Sequence, residues 1–165
     1  MNKGILIDAG YEKTEKKTLL FIDSRDVTTT DPFEYTIMLN ENGIDSYQNV
    51  TKITLKAITF PKILNESYFI FNIEESNDNV DSISHEAHRS SCIVFFEKGL
   101  SPGDFITRYP IEGNGREMIP NPPIKTLSRL RIRIRKHGGE IVAADIGNTM
   151  DNAKHTFLLE ITEKI

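Results

Sequence analysis

The chain has 165 residues, 20 of them basic and 24 acidic, for a formal charge of −4. That length suits one domain around one hydrophobic core, and the slightly acidic balance speaks against a dedicated nucleic-acid binder. Cys92 is the single cysteine, which excludes an intrachain disulfide and a cysteine-based zinc site and fits a reducing compartment.

No apolar run approaches the roughly 20 residues that a membrane-spanning helix needs, and residues 1–10 lack a signal-peptide core. The expectation is a soluble protein made inside the cell, so the sequons at Asn49 and Asn65 read as chance matches. Residues 1–17 hold few large apolar side chains after Ile7 and end in a mixed-charge run that includes Lys13, Lys16 and Lys17. They form either a solvated terminus or an arm that orders against a neighbouring subunit. Residues 18–165 are expected to be one domain.

From residue 18 the pattern is one of short β-type runs separated by turn residues. Residues 18–23 are apolar and end in a polar turn. Residues 34–39 alternate, with Tyr35, Ile37 and Leu39 on one face. After an Asn42-Gly43 turn, residues 50–60 give the cleanest strand signal, ended by Pro61, which has no N–H to donate. Residues 67–73 and 91–97 read as strands around a long polar loop, 74–90. Residues 104–109 suit a brief helix or a strand, and 110–123, rich in Pro, Gly and Asn, an exposed connection. Residues 127–135 read as one strand. His137-Gly138-Gly139 reads as a hairpin turn into 140–142, and residues 156–161 close the chain as a strand. About eight short strands with no long amphipathic helix predict an all-β protein, an antiparallel sandwich or jelly roll.

The search for reactive constellations yields little. His85 and His88 flank Glu86 in a polar loop with no third strong ligand nearby, so a solvated loop is the better reading than a metal site. Cys92 heads an apolar strand and reads as a buried thiol rather than a nucleophile. Asp23, Asp26 and Asp31 lack an EF-hand's spacing, and Asp23 and Asp26 suit turn caps. Neither the P-loop nor the dinucleotide glycine pattern occurs among the ten glycines. The expectation is a non-enzyme with no catalytic residues, no metal and no cofactor.

The most distinctive feature is the alternation at Arg129, Arg131, Arg133 and Arg135. On a strand it puts four guanidinium groups on one face, about 7 Å apart, and Leu130, Ile132 and Ile134 on the other. Such a row repels itself unless it meets anions. The partners are acidic residues of the same domain or an acidic face on a neighbouring subunit. Nucleic acid is disfavoured by the net charge. The four arginines, with Lys13, Lys16 and Lys17, are therefore the candidate subunit interface.

Residues 20–26 (Leu-Phe-Ile-Asp-Ser-Arg-Asp) with Phe33 to Ile37, the strand at 50–60 with Pro61, residues 123–133, Gly138 to Val142 and His155 to Ile161 resemble, in order, the strands of small capsid proteins of large double-stranded DNA viruses and some tailed phages. The resemblance covers most of residues 20–161. It implies a single jelly-roll capsid subunit, a vertex (penton) or minor capsid protein, made in the host cytoplasm and carried in the virion. Its partners would be copies of itself, a pentamer among the options, and other capsid proteins. No catalytic residue comes with that family. A non-catalytic carbohydrate-binding sandwich is the alternative, weakened by the absence of Trp. A cupin-like enzyme would need inward histidines on neighbouring strands.

Overall fold

A computed structural model describes residues 14–76, 90–96, 98–101, 104–108, 116–147 and 153–165. Among these residues the regular structure is β-strand with a few 3₁₀ turns and no α-helix. The strands are β1 (Glu15–Asp23), β2 (Glu34–Met38), β3 (Tyr47–Pro61), β4 (Tyr68–Ile73), β5 (Cys92–Phe95), β6 (Phe105–Arg108), β7 (Arg116–Met118), β8 (Ile124–Leu127), β9 (Arg129–Arg135) and β10 (Thr156–Lys164).

They form two antiparallel sheets packed as a sandwich. The first runs β1-β10-β3, with β6, β7 and β8 all on the free side of β3; the second runs β2-β9-β4-β5. At 15 residues β3 spans roughly 50 Å, long enough for three short partners in succession. β8 pairs with its start at Tyr47, β7 with its middle at Ile53–Leu55, and β6 with its end at Pro61. Together they occupy one strand position.

The pairing is nested. β1 pairs with β10, β2 with β9, β3 with β6–β8, and β4 with β5. The chain therefore folds like one long hairpin doubled between β4 and β5, its arms joined by these nested ladders and the whole rolled into two sheets by the β10·β3 and β9·β4 ladders.

Alternation decides which side of each strand is buried. In β9, Leu130, Ile132 and Ile134 face inward while the arginines face out. In β10 the inward set is Phe157, Leu159 and Ile161. Aromatic pairs join the two sheets: Phe60 stacks on Phe69 at 4.3 Å between ring centres, and Phe71 meets Phe157 at 4.8 Å. Each fully buried ring of this kind contributes about 2–3 kcal/mol by area.

The structure departs from the sequence expectations in four places. β1 starts at Glu15, so Lys16 and Lys17 belong to a strand rather than to the arm. The single strand expected at 127–135 is two strands in different sheets: Leu127 pairs with Tyr47 in the first, and Arg129 with Met38 in the second. The reason is that Leu127 and Leu130 are both buried. Three residues apart, they cannot share one face of a strand, so the chain switches sheets at Ser128. The connection expected at 110–123 contains β7, whose Met118 is fully buried. Finally, the turn at Lys136–Gly139 closes a single bridge and residues 140–142 join no sheet; a 3₁₀ turn, Ala143–Ile146, follows. Asp145 organises it, accepting from the Val142 N–H at 2.7 Å and from Lys136 Nζ at 2.8 Å. Residues 104–109, whose sequence suits a helix or a strand, supply β6.

Candidate functional site

The arginine stripe lies on the outer face of the second sheet, and the carboxylates that meet it come from the same chain. Glu34, at the start of β2, stands opposite Arg133 in the ladder. Its Oε1 accepts from Arg131 Nη2 at 2.9 Å and Arg133 Nη2 at 3.0 Å, and its Oε2 accepts from Arg135 Nη2 at 3.2 Å. Three of the four arginines meet other carboxylates: Arg129 pairs with Glu75 at 3.4 Å, Arg131 with Glu74 at 3.2 Å, and Arg135 with Glu140 at 3.3 Å. Hydrogen bonding from Arg133, joined by Arg131, holds the Glu34 carboxyl below its ordinary range. Glu75 also accepts from the Arg131 backbone N–H at 3.0 Å, satisfying a donor of β9 beyond the end of β4. Four arginines thus meet Glu34, Glu74, Glu75 and Glu140, which leaves this cluster without net charge to attract phosphate.

The lysines are divided. Lys16 pairs with Glu163 at 3.1 Å, whose other oxygen accepts from the Gln48 N–H at 2.7 Å. Lys17 is exposed on β1. Lys13, His85, Glu86 and His88 lie outside the described residues.

The aspartates near β1 serve turns. Asp23 accepts from the Arg25 N–H at 3.0 Å and carries the Arg25 guanidinium; that contact comes first in holding its carboxyl below the ordinary value. Asp31 accepts from the Phe33 N–H at 2.8 Å. Among the described residues no group of three or more His, Cys, Asp or Glu is gathered as a metal site.

Cys92 is buried, and burial pushes its thiol up to about 12, so it stays protonated and a poor nucleophile at neutral pH. His137 is on the surface, with Nδ1 2.8 Å from the Tyr68 hydroxyl.

His155 is the functional-looking group that sequence reasoning passed over. It is buried between the sheets beside Phe33, Tyr35, Phe60 and Phe157. Its Nδ1 lies 2.7 Å from the Ala153 carbonyl, which can only accept, so the proton sits on Nδ1. Nε2 then accepts from the Tyr35 hydroxyl at 2.8 Å. Its backbone exchanges bonds with Ser24, at 2.9 Å to Oγ and 3.0 Å from the Ser24 N–H. Burial pushes the imidazole down to about 4 and raises the Tyr35 phenol. The result is a neutral histidine with both nitrogens engaged, joining the end of β1, β2 and the start of β10. The signal was available: position 155 shares the alternation of Phe157, Leu159 and Ile161.

A buried lysine, Lys62, donates from Nζ to the carbonyls of Ile63 and Glu66 and lies 4.4 Å from the Phe96 ring centre. Burial lowers its pKa, and its contacts lock the 62–67 loop. An open cleft of about 390 Å³ runs between the adjacent edges β1 and β2, with Phe21, Ile37, Met38, Glu41 and Ile44 along it. No protein-family model and no curated protein sequence matches this chain.

Proposed function

We propose that the chain is a virion structural subunit, a single jelly-roll capsid protein of the vertex or minor type, acting by packing against copies of itself and other shell proteins. The observation that carries the reading is the nested strand pairing. Counting β6–β8 as one position, eight strand positions divide equally between two sheets, alternating except at the fourth and fifth, and pair first with last through to fourth with fifth. That is how a hairpin wrapped into a jelly roll distributes its strands, an architecture used by capsid and lectin domains alike. The ordered strand motifs favour the capsid branch.

Two measurements test it. Native mass spectrometry and negative-stain microscopy of the full chain across a wide concentration range should show rings or shells, alone or with co-expressed shell proteins. Mass spectrometry of purified particles should find the chain in stoichiometric amount. A chain that is absent from particles and forms neither rings nor shells would overturn the reading.

A carbohydrate-binding module is the second reading. It is favoured by the outward exposure of Phe21, Phe95 and Phe105, since sugar sites use aromatic faces. Saturable binding on a glycan array would decide for it.

A further inference from the structure

β1 differs from the other edges of the sandwich. Among the described residues it pairs only with β10. It is nine residues long, whereas the edge strands β2, β5 and β6 have five, four and four. Its ladder with β10 runs from Glu15 to Asp23 without a shift, while the β10·β3 ladder shifts register twice. Natural edges are blunted by shortness, bulges, prolines, edge lysines or inward-pointing charges, and β1 carries such lysines, Lys16 and Lys17, only in its first three residues. β1 has length, regularity and two exposed apolar side chains, Leu19 at 61% and Phe21 at 63% exposure.

The backbone phase of β1 is legible from its ends. The Thr14 carbonyl accepts from the Ile165 N–H, and the Ser24 N–H donates to the His155 carbonyl, each at 3.0 Å. Both residues are even-numbered, and antiparallel bonding to one neighbour recurs every second residue. Residues 16, 18, 20 and 22 therefore bond β10, and residues 15, 17, 19, 21 and 23 turn their N–H and C=O groups to the free edge.

We propose that this edge pairs with itself: a second copy of the chain adds its β1 antiparallel across a twofold axis, making one continuous sheet through two molecules. The register is chosen by side chains. Setting Leu20 opposite Leu20 places Leu19 opposite Phe21 and sets Lys17 and Glu15 opposite Asp23 and Arg25, which form an ion pair with each other, Asp23 being buried. Centring on Leu19 instead sets Glu15 against Asp23. Centring on Phe21 sets Lys17 against Arg25. Each shift puts like charges face to face, which is unfavourable on a cross-strand pair. In the favoured register the apolar pairs, repeated by symmetry, supply adhesion, while the exposed charges of Glu15 and Lys17, facing the Asp23–Arg25 ion pair whose carboxylate is buried, only bias the alignment.

This inference stands apart from the capsid reading. A dimer that never enters particles would defeat that reading alone, and particles built from subunits with unpaired β1 edges would defeat this one alone. The test uses the full chain in sedimentation velocity over a range of concentrations. Wild type should dimerise, and Phe21→Lys should sediment as a monomer with unchanged far-UV circular dichroism and melting. Leu19→Lys serves as the second variant should the first melt early. Lys17→Glu should weaken association about tenfold, because two like-charge contacts form by symmetry. Val142→Lys, at another exposed apolar position, should leave it unchanged. Mixed Leu19→Cys and Phe21→Cys chains should cross-link 19 to 21. A wild-type monomer, a Phe21→Lys dimer, or a chain that dimerises only after residues 2–13 are deleted would each overturn the proposal.

Discussion

The outer face of the second sheet and the free edge of the first invite opposite first impressions. The stripe of four arginines looks like a surface waiting for a partner, yet Glu34, Glu74, Glu75 and Glu140 meet it within the same chain. β1 looks like an ordinary apolar strand, yet it leaves Leu19 and Phe21 in solvent beside a backbone edge that no strand pairs among the described residues. A charged pattern invites partners from anywhere and is often satisfied at home. An edge strand's outward N–H and C=O groups are left to water or to another strand, so its length and regularity say more about association.

The interior between these surfaces gives the largest expected effect and must be separated before either is probed with acid. His155 is neutral in the fold, with its pKa depressed from 6.5 to about 4. The unfolded chain therefore binds the extra proton first as pH falls. Stability from this group is fully present above pH 6.5 and is lost progressively down to about pH 4, by up to roughly 3 kcal/mol. Urea titrations at several pH values should show that slope in wild type and lose it in His155→Gln. An equal slope in both would place the acid sensitivity elsewhere. Glu34, whose pKa is also lowered, acts in a lower window: its stabilisation is present above the ordinary carboxyl range and is lost as pH drops through it.

The stripe is broken most directly by Glu34→Lys, which sets a fourth cation among three guanidinium groups. The expected loss is about 2 kcal/mol, partly recovered by added salt. Combining Glu34→Lys with Arg133→Glu restores one opposite pair and should recover part of the melting temperature. Arg131→Glu with Arg133→Glu should lower melting by turning two attractions on Glu34 into repulsions. Normal melting of that double variant would show the stripe to be electrostatically idle. Glu140 is 78% exposed at the side chain, so Glu140→Gln should change stability by less than about 0.5 kcal/mol. The edge completes the series: Phe21→Lys should leave stability in place and remove association, the reverse of Glu34→Lys.

Much of this architecture was legible because alternation is local. The inward sets of β2, β9 and β10 follow from a backbone that turns successive side chains to opposite faces. Even the sheet switch at Ser128 is written in the three-residue offset between Leu127 and Leu130. β7 was not legible. Three residues inside a Pro- and Gly-rich stretch have no period of their own, and their pairing with Ile53–Leu55 comes from lying along a long β3. Glu34 was not legible as the centre of the stripe, although its acidity was plain. It meets Arg131, Arg133 and Arg135 only because β2 lies beside β9.

The sequence by itself determined faces: which residues turn inward, where prolines and glycines stop a strand, and that arginines alternate with core leucine and isoleucines. Those are properties of a few adjacent peptide units. Tertiary structure decided neighbours: which carboxylate neutralises which arginine, that His155 is caged against Tyr35, and that β1 lies at an edge. Neighbours depend on nested pairing between strands far apart in the chain, which no local period encodes.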